Sequence, residues 1–184
     1  MSNITGGNTL IDPQIIIEKT GISDRMYAAD LGCGGTGHFV FPVAKAIGKN
    51  GIMYAVDILK NNLTNIERRA SQENLTQIRT VWSNLEIFKA TKIETASLDV
   101  ALLINVLYQS DKRAEILREA VRLTKKSGKV LIVDWNSIST PFGPSVEERL
   151  NKDNLKKVSE RLGLELMEEF SAGEYHFGMV FLKH

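Results

Sequence analysis

The sequence predicts an α/β sandwich: one mostly parallel sheet between two layers of helices, closed by a single reversed strand. Three observations predict it. Apolar strands alternate with helical patterns five times between Met26 and Asp134. A glycine-rich loop, Gly32 to Gly37, joins the first strand to the helix after it. The last two strands are separated only by Ser171-Ala172-Gly173-Glu174, a link too short for a parallel crossover, so they form an antiparallel hairpin. Five βα units followed by a hairpin define this layered architecture.

Residues 1–11 are polar and glycine-containing, and fraying is expected at their start. Asp12-Pro13 then opens a helix over about 12–21, with aspartate at the N-cap, proline at the first helical position and Gly21 as the stop. Met26 to Leu31 reads as the first strand, followed by the helical run Phe39 to Ile47, ended by Gly48. Ile52 to Asp57 is a second strand, after which Leu59, Leu63, Ile66 and Ala70 recur at helical spacing. Ile78 to Trp82 is a third strand, and Leu98 to Val106 a long buried fourth. Asp111 is expected to cap a helix through Leu117, Ala120 and Val121 that Gly128 ends. Val130 to Asp134 is a fifth strand, and Asn151 to Leu162 a helix that Gly163 ends. Leu164 to Phe170 and Tyr175 to Leu182 complete the hairpin.

Composition sets the class. The chain has 184 residues, 23 basic against 22 acidic, and 43% hydrophobic residues, which is ordinary for one globular domain and excludes a disordered chain. The balanced charge also disfavours a protein whose first task is gripping nucleic acid phosphates. No apolar run approaches the ~20 residues that span a bilayer, and the start has no signal-peptide pattern. One cysteine, Cys33, makes no intramolecular disulfide, so a cytoplasmic setting is expected.

The loop carries the chemistry. Gly32, Gly34 and Gly37 satisfy G-x-G-x-x-G, and Asp57 stands at the end of the second strand, where a carboxylate accepts ribose hydroxyls. That spacing admits a nicotinamide dinucleotide, with backbone amides and a helix N-terminus presented to an anion. Asp30, two residues before the first glycine, argues otherwise. Its carboxylate beside a pyrophosphate, ~5 Å apart at an effective dielectric of ~20, costs about 3 kcal/mol. A zwitterionic amino-acid tail suits the site better, and the methionine tail of S-adenosylmethionine is such a group, with a ribose left for Asp57.

Several motifs in order carry a resemblance to a known family. Ala29-Asp30-Leu31-Gly32-Cys33-Gly34, Tyr54-Ala55-Val56-Asp57, Ser97 to Leu103 with Asn105-Val106-Leu107, and Leu117 to Trp135 resemble the motifs of class I S-adenosylmethionine-dependent methyltransferases. The likeness covers about residues 12–184 and is nearest to small ubiquinone/menaquinone-biosynthesis-like methyltransferases of undefined substrate. It implies a seven-stranded sheet of order 3-2-1-4-5-7-6 with strand 7 antiparallel, the N-terminal helix acting as a cap, and S-adenosylhomocysteine as the product. The cofactor-binding positions it implies are Asp30, Gly32, Cys33, Gly34, Gly35, Gly37, Asp57, Ile58, Asn84, Leu85 and Asn105.

This chain departs from the family pattern twice. Gly35-Thr36-Gly37 makes the glycine loop one residue longer, so altered contacts to the methionine carboxylate are expected. Ser83-Asn84-Leu85 replaces an acidic residue with an amide at the position facing the adenine amino group.

Methyl transfer from a sulfonium is an in-line displacement, so the protein chiefly aligns donor and acceptor and excludes water. No nucleophile or metal set is required; His38, His176 and His184 are too scattered to suggest one. No catalytic residue is assigned. Asp134, Tyr108, His176 and Trp135 are candidates for substrate contact or proton removal, each equally readable as a rim residue or a cap; Asp134 is the first choice of base for an acceptor that needs one. Tyr175 and His176 are expected to border the substrate space. A small buried residue is the ordinary reading of the Cys33 side chain, ahead of a reactive thiol. Arg68-Arg69 and Lys156-Lys157 read as solvated helix surface. Ser139 to Pro144 reads equally as a lid or as a plain loop. The acceptor is expected to be a small molecule. RNA or protein substrates, a non-catalytic binding module and an NAD-binding protein are the alternatives.

Overall fold

The computed structural model describes residues 7–184; the expected fraying at the start of the chain falls largely outside them. Seven strands, β1 (Tyr27–Leu31), β2 (Ile52–Asp57), β3 (Ile78–Trp82), β4 (Leu98–Ile104), β5 (Thr124–Trp135), β6 (Leu164–Gly173) and β7 (His176–Lys183), form one sheet in the order β3-β2-β1-β4-β5-β7-β6. All neighbours among β1 to β5 are parallel, and β7 runs antiparallel to both β5 and β6. This is the predicted topology.

The central strands are apolar on both faces because helices cover both. Ala28, Val100, Leu102 and Val133 face α1 (Pro13–Thr20), α2 (Val40–Ile47) and α3 (Lys60–Gln72). The alternate residues Ala29, Leu31, Ala101, Leu103 and Ile132 face α4 (Arg113–Leu123) and α5 (Lys152–Arg161). Period-2 alternation in the strands thus serves two separate cores. Asp12 caps α1 by accepting from the Gln14 amide at 2.9 Å, and Gly21 ends it in the left-handed region, as the sequence indicated.

Three boundaries differ from expectation. Asp111 does not cap α4; the helix starts at Arg113 and its N-cap position is Lys112, with no side-chain cap. Gly128 does not end it either. α4 stops at Leu123, the Thr124 hydroxyl turns back to the Ala120 carbonyl at 2.8 Å, and β5 begins at once. Gly128 instead lies in a bulge of β5 against β4, where an added Cβ would stand 3.0 Å from the Asp99 carbonyl oxygen. A glycine required by close backbone approach looks, in sequence, like one that stops a helix. Finally, β6 runs on to Gly173 and Tyr175 lies in the turn.

Parallel strands bring their carboxyl ends to one edge. There Asp57 pairs with Trp82 across β2 and β3, and Ile104 with Val133 across β4 and β5. No described helix is long and apolar enough to cross a membrane.

Candidate active site

At that edge the chain encloses a cavity of about 1000 Å³. Its wall includes Gly32, Gly34, Gly35, Asp57, Ile58, Asn84, Leu85, Asn105 and Tyr108 from the predicted set. Asp30, Cys33, Gly37, Asp134 and His176 do not line it.

The glycine loop is held from below. The Gly32 and Cys33 amides donate to the Val56 carbonyl at 2.8 and 3.0 Å, and the Gly34 amide donates to Asp57 Oδ2 at 2.9 Å. These three amides are therefore already used, which corrects the expectation that the loop presents them to an anion. The helix N-terminus is also displaced: α2 begins only at Val40, and the cavity wall stops at Thr36. Gly37, at φ 61°, is tucked between α2 and α3, where an added Cβ would lie 2.5 Å from both Phe41 and Ile66. Gly34, at φ 63°, has nothing within 4 Å of an added Cβ and fronts open cavity.

Asp57 is buried and accepts from both sides, from Gly34 through Oδ2 and from the Leu59 amide through Oδ1 at 2.8 Å. Each carboxylate oxygen keeps a second lone pair for a ligand hydroxyl. Asn84 Oδ1 accepts from the Glu86 amide at 2.9 Å and keeps a second lone pair for a ligand donor. Asn105 sits just past β4 at φ 55°, and its Nδ2 donates to Asn8 Oδ1 at 2.9 Å. Asn8 and Thr9 thereby close one side of the cavity. The cap expected from α1 is thus supplied by the turn ahead of it, while α1 packs against α2.

Asp30 lies beneath the loop, fully buried, with Oδ2 lacking a hydrogen-bond partner. Burial, and then the Asp57 charge, push its pKa up to about 7. Burial first, with Asp30 and Asp57 adding, pushes the Cys33 thiol up as well, so it is an inert core residue.

Of the other candidates, Tyr108 is on the cavity wall, and Asp134, Trp135 and His176 are not. Asp134 is fully buried and accepts from the Trp135 amide at 2.8 Å and the Tyr108 amide at 3.3 Å; burial outweighs these bonds and raises its pKa to about 7. Tyr108 is half-buried, its pKa raised by burial and by Asp134. His176, expected to border the substrate space, does not line this cavity, and neither does Trp135. They are buried neighbours across β5 and β7 with ring centroids 4.4 Å apart. Gly7 and Gly143 press on the Trp135 indole, where an added Cβ would lie 2.4 and 2.6 Å away. Burial, with Arg149 adding, lowers the His176 pKa to about 4. Tyr175 is half-buried, edge-on to Phe142 at 5.2 Å.

The segment 139–144 is anchored. Buried Arg149 donates to the Pro144 carbonyl at 2.9 and 3.1 Å, to Asn136 at 2.7 Å and to Ile138, which favours the reading as a fixed loop.

Wall residues not anticipated are Asn8, Thr9, Asn62, Asn65, Glu86, Gln109 and Ser110. Asn62 and Asn65, three apart on α3, flank Gly35 and are the pair a helical-spacing search for polar side chains beside the loop would have found. Arg69 is more than solvated surface: it donates to the Thr36 carbonyl at 3.2 Å, pairs with Glu73 at 2.7 Å and stacks 3.8 Å over Phe41.

A parallel sheet of this order, with a glycine loop after β1 and a carboxylate ending β2 beside one large cavity, defines the class I methyltransferase architecture. The sequence profile of a methyltransferase domain matches residues 22–173, and the chain belongs to that family. Solved structures agree on the fold. A SAM-dependent methyltransferase from Aquifex aeolicus superposes with a TM-score of 0.84 at 18% identity, over 99% of this chain and 95% of its own. A putative type 11 methyltransferase from Sulfolobus solfataricus gives 0.72 at 21%, over 95% and 94%. A methyltransferase from Pyrococcus furiosus gives 0.68 at 20%, over 92% and 81%. No curated protein matches the sequence.

Proposed function

We propose that the chain transfers a methyl group from S-adenosylmethionine to a small-molecule acceptor within the cavity. The observation that carries this reading is the wall that joins Gly34, open to the cavity, to the Asp57 carboxylate and to Asn84-Leu85. Those groups fit the cofactor piece by piece. Asp57 takes the ribose hydroxyls with Ile58 beside the base, Asn84 and Leu85 take the adenine edge, and Gly32 to Thr36 with Asn105 take the methionine end. Asp30 and Cys33 act from beneath the loop, Asp30 through an unpaired carboxyl whose negative charge, once ionised, favours a cationic ligand. Gly37 shapes the loop without touching the ligand.

Bound cofactor supplies an electrophilic methyl on sulfur; the protein aligns the acceptor and excludes water. Asp30 close to the loop weighs against a pyrophosphate and so against NAD. The buried Cys33 thiol fits a reducing cytoplasm.

Thermal melting with S-adenosylmethionine, S-adenosylhomocysteine and NAD in parallel tests the reading. Ligand at 100 times its Kd adds about 2.7 kcal/mol, roughly 5–11 °C for a domain of this size. Both methyl-donor ligands raise Tm, NAD does not, and Asp57→Ala loses most of the shift. A response to NAD alone overturns the proposal.

A further inference from the structure

We propose that Arg69, which lies outside the cavity wall, is a positioning residue for the cofactor: through the Thr36 carbonyl it sets the part of the glycine loop that receives the methionine carboxylate. This rests on the cofactor reading above.

The donors of the loop narrow first. The Gly32, Cys33 and Gly34 amides are spent on Val56 and Asp57 beneath it. α2 starts at Val40, beyond the wall, so its N-terminus does not border the cavity. Of the loop residues on the wall, Gly35 and Thr36 remain, and among the described residues no acceptor is hydrogen-bonded to either amide. The described wall also carries no lysine or arginine. A ligand carboxylate beside this loop is therefore met by neutral N–H groups, those of Gly35 and Thr36 first.

One face of α3 holds that stretch. Asn62, Asn65, Ile66 and Arg69 recur at i, i+3, i+4 and i+7 along the helix. An added Cβ at Gly35 would lie 2.8 Å from Asn62 Oδ1 and 3.5 Å from Asn65 Nδ2, and one at Gly37 would lie 2.5 Å from Ile66. Between these two contacts, Arg69 Nη1 donates to the Thr36 carbonyl at 3.2 Å. Asn62 and Asn65 also line the cavity, so the same face brings carboxamide groups beside Gly35.

Arg69 is itself fixed. Its guanidinium stacks 3.8 Å over the Phe41 ring of α2, and its Nε donates to Glu73 at 2.7 Å. Glu73 is held in turn by Lys45 of α2 at 2.8 Å. A guanidinium tied to both helices gives Thr36 a steady donor, which a loop of glycines otherwise free to swing requires. The Gly35 and Thr36 amides are then aimed before ligand arrives, and the ordering cost of binding the methionine end falls. The adenosine half depends less on this clamp, because Asp57 ends β2 and Asn84-Leu85 follow β3, so the sheet places them.

The test is isothermal titration of the full chain as wild type, Arg69→Met and Arg69→Lys with two ligands. One is S-adenosylhomocysteine; the other is 5′-methylthioadenosine, which keeps the adenosine and thioether but lacks the amino-acid end. Methionine still covers Phe41 but offers no N–H, whereas lysine keeps a donor for Thr36. Arg69→Met weakens S-adenosylhomocysteine at least about fivefold and 5′-methylthioadenosine less than about twofold, and Arg69→Lys recovers most of the loss. The ligand-free Tm changes little, because the ion pair lost with Glu73 is half-exposed. An Arg69→Met protein that binds S-adenosylhomocysteine as wild type does, or that loses affinity for both ligands alike, overturns the inference. So does an Arg69→Lys protein as weak as Arg69→Met. Wild-type protein that binds neither ligand overturns the cofactor reading and this inference with it, and that failure is seen before any variant is compared.

Discussion

Replacing Asp30 with asparagine stabilises the ligand-free protein at pH 8 while weakening its site. The buried carboxyl is raised from 3.8 to about 7, by burial and then by Asp57. The unfolded chain ionises near 3.8, so between 3.8 and 7 the folded state retains a proton that the unfolded state has released. Stability from this group therefore falls as pH rises through that window and stays low above 7. Three units at about 1.4 kcal/mol each is roughly 4 kcal/mol by pH 8, but only about 1.5 kcal/mol at pH 5. Asparagine keeps the shape and cannot ionise, so its advantage over aspartate grows by about 2.5 kcal/mol between pH 5 and pH 8. For a domain of this size that is about 6–7 °C in relative Tm. Scanning calorimetry of both proteins at both pH values measures it. The variant also shows a smaller Tm shift with S-adenosylmethionine. An equal Tm difference at both pH values, or a variant less stable than wild type at pH 8, refutes the reasoning.

Glu119→Ala removes a fully buried carboxylate, strands the largely covered Arg122 that it holds at 2.7 Å, and releases the Lys89 and Thr91 amides at 2.9 and 3.1 Å. Loss of such a pair costs about 3–5 kcal/mol, so Tm drops by roughly 8–13 °C in a melting scan. Burial opposes the Glu119 charge, but Arg122 and the two amides outweigh it and hold the pKa at about 2. Its stabilisation is present above 4.5 and is lost as pH falls toward 2, and Glu119→Gln flattens that part of an acid titration followed by circular dichroism. Gly34→Ala places a methyl in open cavity and Gly37→Ala drives one into Phe41 and Ile66. The first costs about 1 kcal/mol of backbone strain and weakens cofactor binding in calorimetric titration; the second lowers Tm by several degrees more. His176, lowered to about 4 by burial and Arg149, refuses a proton that the unfolded state accepts below 6.5. Its contribution therefore declines from pH 6.5 to 4, against the rise that Asp30 and Asp134 give over the same range, and His176→Phe makes the net rise of the urea midpoint steeper.

Local signals were the legible ones. The unbroken apolar runs Val100 to Ile104 and Val130 to Val133 need only the chain itself, and so does the short link that forces the last hairpin. Asp57 was readable because a strand end after a glycine loop fixes where a carboxylate points. What escaped depends on contacts across long stretches of sequence. Gly128 is glycine because the bulge folds it onto Thr124, the Lys125 carbonyl and the Asp99 carbonyl of the neighbouring strand, and Gly37 because of Ile66 on another helix. His176 looked like a rim residue until Trp135 and the Arg149-anchored loop covered it. Asn8 and Thr9 carry no motif; their place follows from the bond to Asn105.

A crystal structure of the protein with S-adenosylhomocysteine tests the central claim most directly. The account predicts the adenine edge at Asn84-Leu85, the ribose hydroxyls on Asp57, and the homocysteine end at Gly32 to Thr36 beside Asn105. Ligand lying elsewhere on the molecule, or in this cavity with its ribose away from Asp57, contradicts it.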